Sequence, residues 1–324
     1  MNRFESDHVF ALCNPGSESA LKLEAESMAL GWRSGYQRRG FVTFKTDAAF
    51  SLAALDVEIA CARRLCLSLG KATSREEAEQ KIESYTIHHA RYFERKMQGL
   101  PCGVRPQIGD IIGTVVELGP DEFWVGVHRH TRMLSPDPAG DSGIQMPADS
   151  PSRAWLKLEE AARFFDLEFT TKDIVVEVGC APGGVVYALL KRGVSVIGVD
   201  PAKMAAVVLT TAITDRQQAA AGQPWFYHCR KPAALVSKRD LGDGVTWFMS
   251  DMNQAPDVVL KECARFCKMA PSIRGVLITL KLTDIKQVAE KPQWFAALRE
   301  MGFKTIRLQQ LSVHHKEFAL LAMK

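Results

Sequence analysis

Four residues of this 324-residue chain alternate in charge along its second half: Lys157, Asp251, Lys281 and Glu317. A glycine-rich run, Glu177-Val-Gly-Cys-Ala-Pro-Gly-Gly184, lies between the first and second of them. Two lysines with two carboxylates suit the removal of a proton from a poor oxygen nucleophile. Amines brought together and partly dried give up charge, while carboxylates hold them in place. The glycine run suits binding of a small ligand: after a strand, its glycines let backbone come close and present amides at a helix N-terminus, where a carboxylate is welcome. Each charged residue alone reads equally well as a strand-end salt bridge, so the weight rests on their order and placement.

The elements that must position these groups follow from the hydrophobic pattern. Residues 173–178 form a short apolar run for a buried strand, 184–191 a helix and 194–199 a second strand ending at Asp200, together a βαβ unit. An acidic side chain at that position can accept both ribose hydroxyls of a nucleoside, and the spacing also suits a dinucleotide. The loop lacks the GxGxxG pattern of the dinucleotide-binding dehydrogenases. Further strands are predicted at 225–228, 245–250, 275–280, 305–310 and 317–323, with helices notably at 256–269 and 292–301. Such alternation predicts an α/β fold with a doubly wound, seven-stranded sheet.

The last two strands are joined by residues 311–316 alone, too few for a parallel crossover, so they pair as an antiparallel hairpin. In an open sheet, ligands sit at the carboxyl ends of the parallel strands. Asp251 and Lys281 follow two of those ends. Glu317 begins a strand of opposite direction, which returns it to the same edge. Lys157 sits in a capped helix, Ser152-Arg-Ala-Trp-Leu-Lys-Leu-Glu-Glu160, just before the sheet.

The N-terminal half reads as smaller α+β units. Strands are predicted at 8–13 and 40–45 around a helix at 18–30, a βαβ start, followed by a long helix at 75–97 and a hairpin of 110–118 with 123–130. The hairpin ends in His128, Arg129, His130 and Arg132, which could touch phosphate or form only a polar rim. Residues 135–150, rich in Pro, Gly, Ser and Asp, read as a linker or exposed loop. Residues 1–150 carry 17 Lys/Arg against 20 Asp/Glu, and residues 151–324 carry 24 against 17. The half with the motifs is therefore the basic one, which suits a polyanionic substrate.

Eight scattered cysteines without CxxC spacing or neighbouring histidines predict thiols and no metal site. No apolar run of membrane-spanning length appears, and the first residues lack the build of a signal peptide, so a cytoplasmic protein with no membrane partner is expected.

The segments Ser152 to Glu160, Glu177 to Gly184, Ser250-Asp-Met252, Thr279-Leu-Lys-Leu282 and His315-Lys-Glu317 resemble, in this order, the motifs of the FtsJ-like ribose 2'-O-methyltransferases, and within them the RlmM group. The resemblance covers the C-terminal half. It implies a class I methyltransferase domain at 147–324, with a Rossmann-like seven-stranded sheet whose last strand is antiparallel. It also implies an N-terminal RNA-binding region of THUMP type at 1–146, where the likeness is confined to Cys13-Asn-Pro-Gly16 and the 123–130 strand.

By this resemblance S-adenosylmethionine is the cofactor, held by Glu177, Gly179, Cys180, Ala181, Pro182, Gly183, Gly184, Asp200 and Asp251. Lys157, Asp251, Lys281 and Glu317 form the catalytic tetrad, with Lys281 as base and Lys157 orienting the hydroxyl or a neighbouring phosphate. The implied substrate is the ribose 2'-hydroxyl of a cytidine in 23S ribosomal RNA, in a loop or single strand whose ribose can be splayed into a cleft.

Two features depart from the group. Its acidic residue after the third strand is missing from Trp225-Phe-Tyr-His-Cys-Arg230, leaving Tyr227, His228, a backbone carbonyl or Asp243 to meet the adenine, and the N-terminal half is short. Methylation of transfer RNA or another RNA, a catalytically silent ribosome-assembly protein, and a small-molecule methyltransferase stand as alternatives. The last leaves the N-terminal module unexplained.

Overall fold

The computed structural model describes residues 4–83, 91–94, 106–213, 219–220 and 222–324. The chain divides into two compact units, Met1–Ser142 and Gly143–Lys324, each with its own sheet.

The N-terminal unit comprises β1 (Glu5–Leu12), α1 (Glu18–Ser27), β2 (Arg33–Arg38), β3 (Phe41–Ser51), β4 (Arg64–Ala72), α2 (Arg75–Glu83), β5 (Arg91–Glu94), β6 (Ile111–Gly119) and β7 (Glu122–Arg129). The sheet order is β2-β3-β1-β4-β7-β6-β5. Its opening is no parallel βαβ unit, because β3 pairs antiparallel with β1 after the edge strand β2. The predicted long helix is present as α2 over Arg75–Glu83, and Arg91–Glu94 instead pairs parallel with β6. The rest of that predicted helix, 84–90 and 95–97, lies outside the described residues.

The predicted 110–118/123–130 hairpin forms as β6 and β7, yet His128 and His130 at its end are buried. His128 Nε2 lies 3.0 Å from the buried Arg64 guanidinium, and Arg129 is paired with Asp56. The two histidines therefore face the interior and are not placed to meet phosphate. The first part of the predicted linker is also anchored, since Arg64 donates to the carbonyls of Ser135 and Asp137 at 3.1 and 2.6 Å.

In the C-terminal unit the elements are α3 (Ala154–Phe165), β8 (Ile174–Val178), α4 (Gly184–Lys191), β9 (Ser195–Val199), α5 (Ala206–Thr211), β10 (Phe226–Cys229), α6 (Lys238–Leu241), β11 (Trp247–Ser250), α7 (Pro256–Met269), β12 (Gly275–Lys281), α8 (Lys291–Glu300), β13 (Thr305–Gln309) and β14 (Glu317–Met323). The sheet order is β10-β9-β8-β11-β12-β14-β13. The first five of these are mutually parallel, and β14 runs antiparallel to both β12 and β13. This is the class I methyltransferase plan.

The central strands are apolar on both faces because helices cover both, as in doubly wound sheets. Against β8 and β9 packs α4, buried from Val185 to Leu190. Beside it lies α3, whose Leu158, Ala161 and Phe165 repeat at helical spacing on its buried face. Burying Leu158 and Phe165 contributes about 1.5–3 kcal/mol each, enough to fix which way α3 turns Lys157. Among the described residues, no helix is long and apolar enough to cross a membrane.

Candidate active site

The sheet brings the predicted residues to one edge. β8 ends at Val178 and leads into the glycine loop; β11 ends at Ser250 and leads into Asp251, whose N–H donates to the Val178 carbonyl at 3.1 Å. Lys281 is the last residue of β12 and Glu317 the first of β14, and the two are paired in register. Direct partners in neighbouring strands place their side chains on the same face of the sheet. Lys157 reaches this group from α3.

The four side chains form one ionic cluster. Lys157 Nζ donates to both oxygens of Asp251, at 3.0 and 3.1 Å, and to Glu317 at 3.1 Å. Lys281 Nζ lies 3.2 Å from Asp251 Oδ1 and donates to the Asp251 backbone carbonyl at 3.1 Å. Asp251 thus joins the two lysines. Side-chain exposure is 17% for Lys157 and Asp251, 14% for Glu317 and 22% for Lys281, so the cluster is largely dried yet open on one side. That opening is a cavity of about 410 Å³, lined by all four residues and by Glu177, Gly179 and Ala181 of the loop.

Within the loop, each glycine has a specific reason to be there. Gly179 has φ 79° and sits where a Cβ would come within 3.1 Å of the Met252 backbone nitrogen. A Cβ on Gly183 would strike Met204 and Val208 at 2.6 Å, and one on Gly184 would lie 2.4 Å from Ser152 Oγ and 2.8 Å from the Trp155 nitrogen. The last two glycines therefore serve helix packing, letting α3 and α5 close on the start of α4, in addition to any approach of a ligand. The loop is held from the next strand: Asp200 accepts from the N–H of Ala181 at 3.1 Å and of Ala202 at 2.8 Å.

Glu177 is the least solvated of the charged residues here. Only 2% exposed, it has an Oε2 atom without a hydrogen-bond partner, although it lines the cavity. Burial, reinforced by the nearby charges of Asp251 and Asp200, pushes its carboxyl well above the usual range.

Residues 151–291 match the family of FtsJ-like methyltransferases. This segment is similar to that family. Among curated relatives, ribosomal RNA large subunit methyltransferase M of Actinobacillus pleuropneumoniae serotype 3 (strain JL03) is 46% identical over 194 residues, covering 57% of this chain and 49% of the relative. The protein of the same name from Aeromonas hydrophila is 30% identical over 197 residues, covering 59% and 46%. The chain spans about half the length of the curated relatives it matches. The solved structure of TrmN from Thermus thermophilus is a distant likeness, with TM-score 0.34 and 14% identity over 99% of this chain and 100% of that one.

The site has further residues that the motifs do not single out. Arg153 and His315 also line the cavity, at the start of α3 and in the β13–β14 connection. His314, beside Lys157, is buried and accepts from the Leu311 N–H at 3.2 Å; burial pushes its imidazole down to about 3, so it adds no charge to the cluster. Only its place next to the quoted His315-Lys-Glu317 segment could have drawn attention to it. Helix α3 begins at Ala154, with no side-chain cap from Arg153 and a 3.3 Å contact from the Ala154 N–H to Ser152 Oγ.

Where the usual acid after the third strand is missing, His228 Nε2 lies 3.0 Å from the Asp200 carbonyl, and Tyr227 is exposed. Among the described residues no group of three or more His, Cys, Asp or Glu could hold a metal, and none of the seven cysteines there is in a disulfide.

Proposed function

We propose that this chain transfers a methyl group from S-adenosylmethionine to a ribose 2'-hydroxyl of RNA, with a cytidine of 23S ribosomal RNA as the target. The observation that carries this reading is the sharing of Asp251 by Lys157 and Lys281 at the rim of the cavity under the glycine loop. The printed names of the curated relatives support ribosomal RNA as the substrate.

The residues present fit the cofactor. The orphaned Oε2 of Glu177 is placed for an ammonium such as that of the methionine moiety, and the Gly179 backbone leaves the cavity wall clear. Glu177, Gly179, Cys180, Ala181, Pro182, Gly183 and Gly184 would hold the methionine end, Asp200 the ribose, and Asp251 the amino group. When bound, the cofactor supplies an electrophilic methyl carbon on a positively charged sulfur.

The protein's part is to align the hydroxyl with that carbon and remove its proton as the new C–O bond forms. Lys157, bracketed by two carboxylates, orients the hydroxyl or a flanking phosphate. Lys281 meets one carboxylate and one carbonyl, a weaker anionic setting, and takes the proton. Asp251 and Glu317 hold both amines. The N-terminal region, residues 1–146, serves as the THUMP-type RNA-binding part in this reading, ahead of the catalytic domain at 147–324.

Equilibrium dialysis with S-adenosylmethionine, followed by label transfer to separated 23S, 16S and transfer RNA from an undermodified source, tests this reading. Cofactor binding with label entering 23S RNA is the expected result. Label in transfer RNA alone would move the substrate, and binding with no transfer to any RNA would favour a silent assembly protein.

A further inference from the structure

Glu160 is 6% exposed and lies three residues after Lys157 on α3, too deep to be a surface charge and outside the ionic cluster. Its carboxylate crosses to the connection between β13 and β14. One oxygen accepts from the Ser312 hydroxyl and the other accepts from the Val313 N–H at 3.0 Å. At the start of the same helix Arg153 reaches the Val313 carbonyl at 3.5 Å. The connection carries His314 and leads directly into Glu317, and its far end is tied to β12 through the Leu282 N–H, which donates to the Lys316 carbonyl at 2.8 Å. Two elements that each supply part of the cluster, α3 with Lys157 and β14 with Glu317, are therefore joined by one buried carboxylate.

We propose that Glu160 is a positioning residue that fixes Lys157 against Asp251 and Glu317 by clamping α3 to the β13–β14 connection. This inference rests on the catalytic reading of Lys157. Apolar packing of Leu158, Ala161 and Phe165 sets the rotation of α3, but it is non-directional and holds the position along the helix axis less sharply. Hydrogen bonds from a carboxylate to a fixed N–H and hydroxyl are directional and remove that freedom. Positional errors near 1 Å at a reacting group cost about 100-fold in rate, so a small slide of α3 is enough to matter.

The test compares Glu160→Ala with Glu160→Gln. A glutamine keeps both contacts without the charge: its carbonyl accepts the Val313 N–H and its amide donates to the Ser312 hydroxyl, which can turn to accept. Expected for Glu160→Ala is a fall in kcat of about 10- to 100-fold with cofactor affinity kept, and for Glu160→Gln a value within about 3-fold of the parent. Ser312→Ala, which removes only the hydroxyl, should fall between them.

Hydrogen exchange of the 310–316 segment gives a readout independent of turnover, rising in Glu160→Ala and unchanged in Glu160→Gln. Unchanged kcat in Glu160→Ala, unchanged exchange in that segment, or a glutamine variant as slow as the alanine one would each overturn the clamp. Absence of methyl transfer by the parent protein would sink the proposed function instead, and the exchange comparison would still decide whether the clamp exists.

Discussion

At the residue scale, the cluster is an arrangement of two lysines on a shared carboxylate, and its neighbour Glu177 is the strained member. A carboxyl whose folded value is raised binds its proton more tightly folded than unfolded. Its contribution to stability is fully present below the unfolded value of about 4.5 and is lost as pH rises through the folded one. Between those points the cost is about 1.4 kcal/mol per pH unit. Glu177→Gln cannot ionise. Without cofactor, the variant should unfold like the parent near pH 4 and at a higher temperature than the parent once pH has risen above the ordinary carboxylate range, in calorimetric scans. Equal pH dependence of the two proteins would show that burial does not raise the Glu177 carboxyl.

At the scale of elements, the glycine loop does two jobs that one substitution separates. A Cβ at Gly184 meets Ser152 and the Trp155 backbone, so Gly184→Ala must push the start of α3 outward and carry Lys157 with it. Overpacking of this kind costs about 1–3 kcal/mol. The expected variant is folded, has a lowered thermal midpoint, and loses turnover by a larger factor than cofactor affinity; wild-type kinetics would mean that α3 does not need this contact.

The sheet that holds the site was legible in the sequence because its strands are short, apolar and punctuated. Pro256 even marks the start of α7 at its first position. The connection too short for a crossover settled the direction of β14, and with it the position of Glu317. What escaped was decided by tertiary contacts. Arg91–Glu94 has helical composition yet becomes a strand by pairing with β6, and the turn of His128 toward Arg64 is invisible in a segment that looks like a polar rim. Glu160 escaped for the same reason, since its partners lie about 150 residues away.

At the scale of the whole molecule, each unit buries a neutral histidine. His314 in the C-terminal unit is pushed down to about 3 and His128 in the N-terminal unit well below 6.5, both chiefly by burial. The unfolded chain takes up these protons from about pH 6.5 downward and the folded one does not, so stability falls with pH over that range, by about 1.4 kcal/mol per unit for each histidine. For His314 the fall ends near pH 3. His314→Gln should flatten the acid loss of the C-terminal unit alone, read by hydrogen exchange resolved between the units. An equal effect on both would mean that the two cores unfold as one.

The charge excess of the second half belongs to the same scale. If it meets RNA phosphates, affinity falls steeply with salt.

The most direct test of the central claim is the chemical position of the transferred methyl group. Protein and Lys281→Ala variant would each be incubated with labelled S-adenosylmethionine and undermodified 23S RNA, and the RNA digested to nucleosides and mapped. The account predicts one 2'-O-methylcytidine from the parent protein and a loss of at least about 100-fold in the variant, which should still bind cofactor. Label on a base, or a Lys281→Ala variant that methylates the same ribose at the parent's rate, would contradict it.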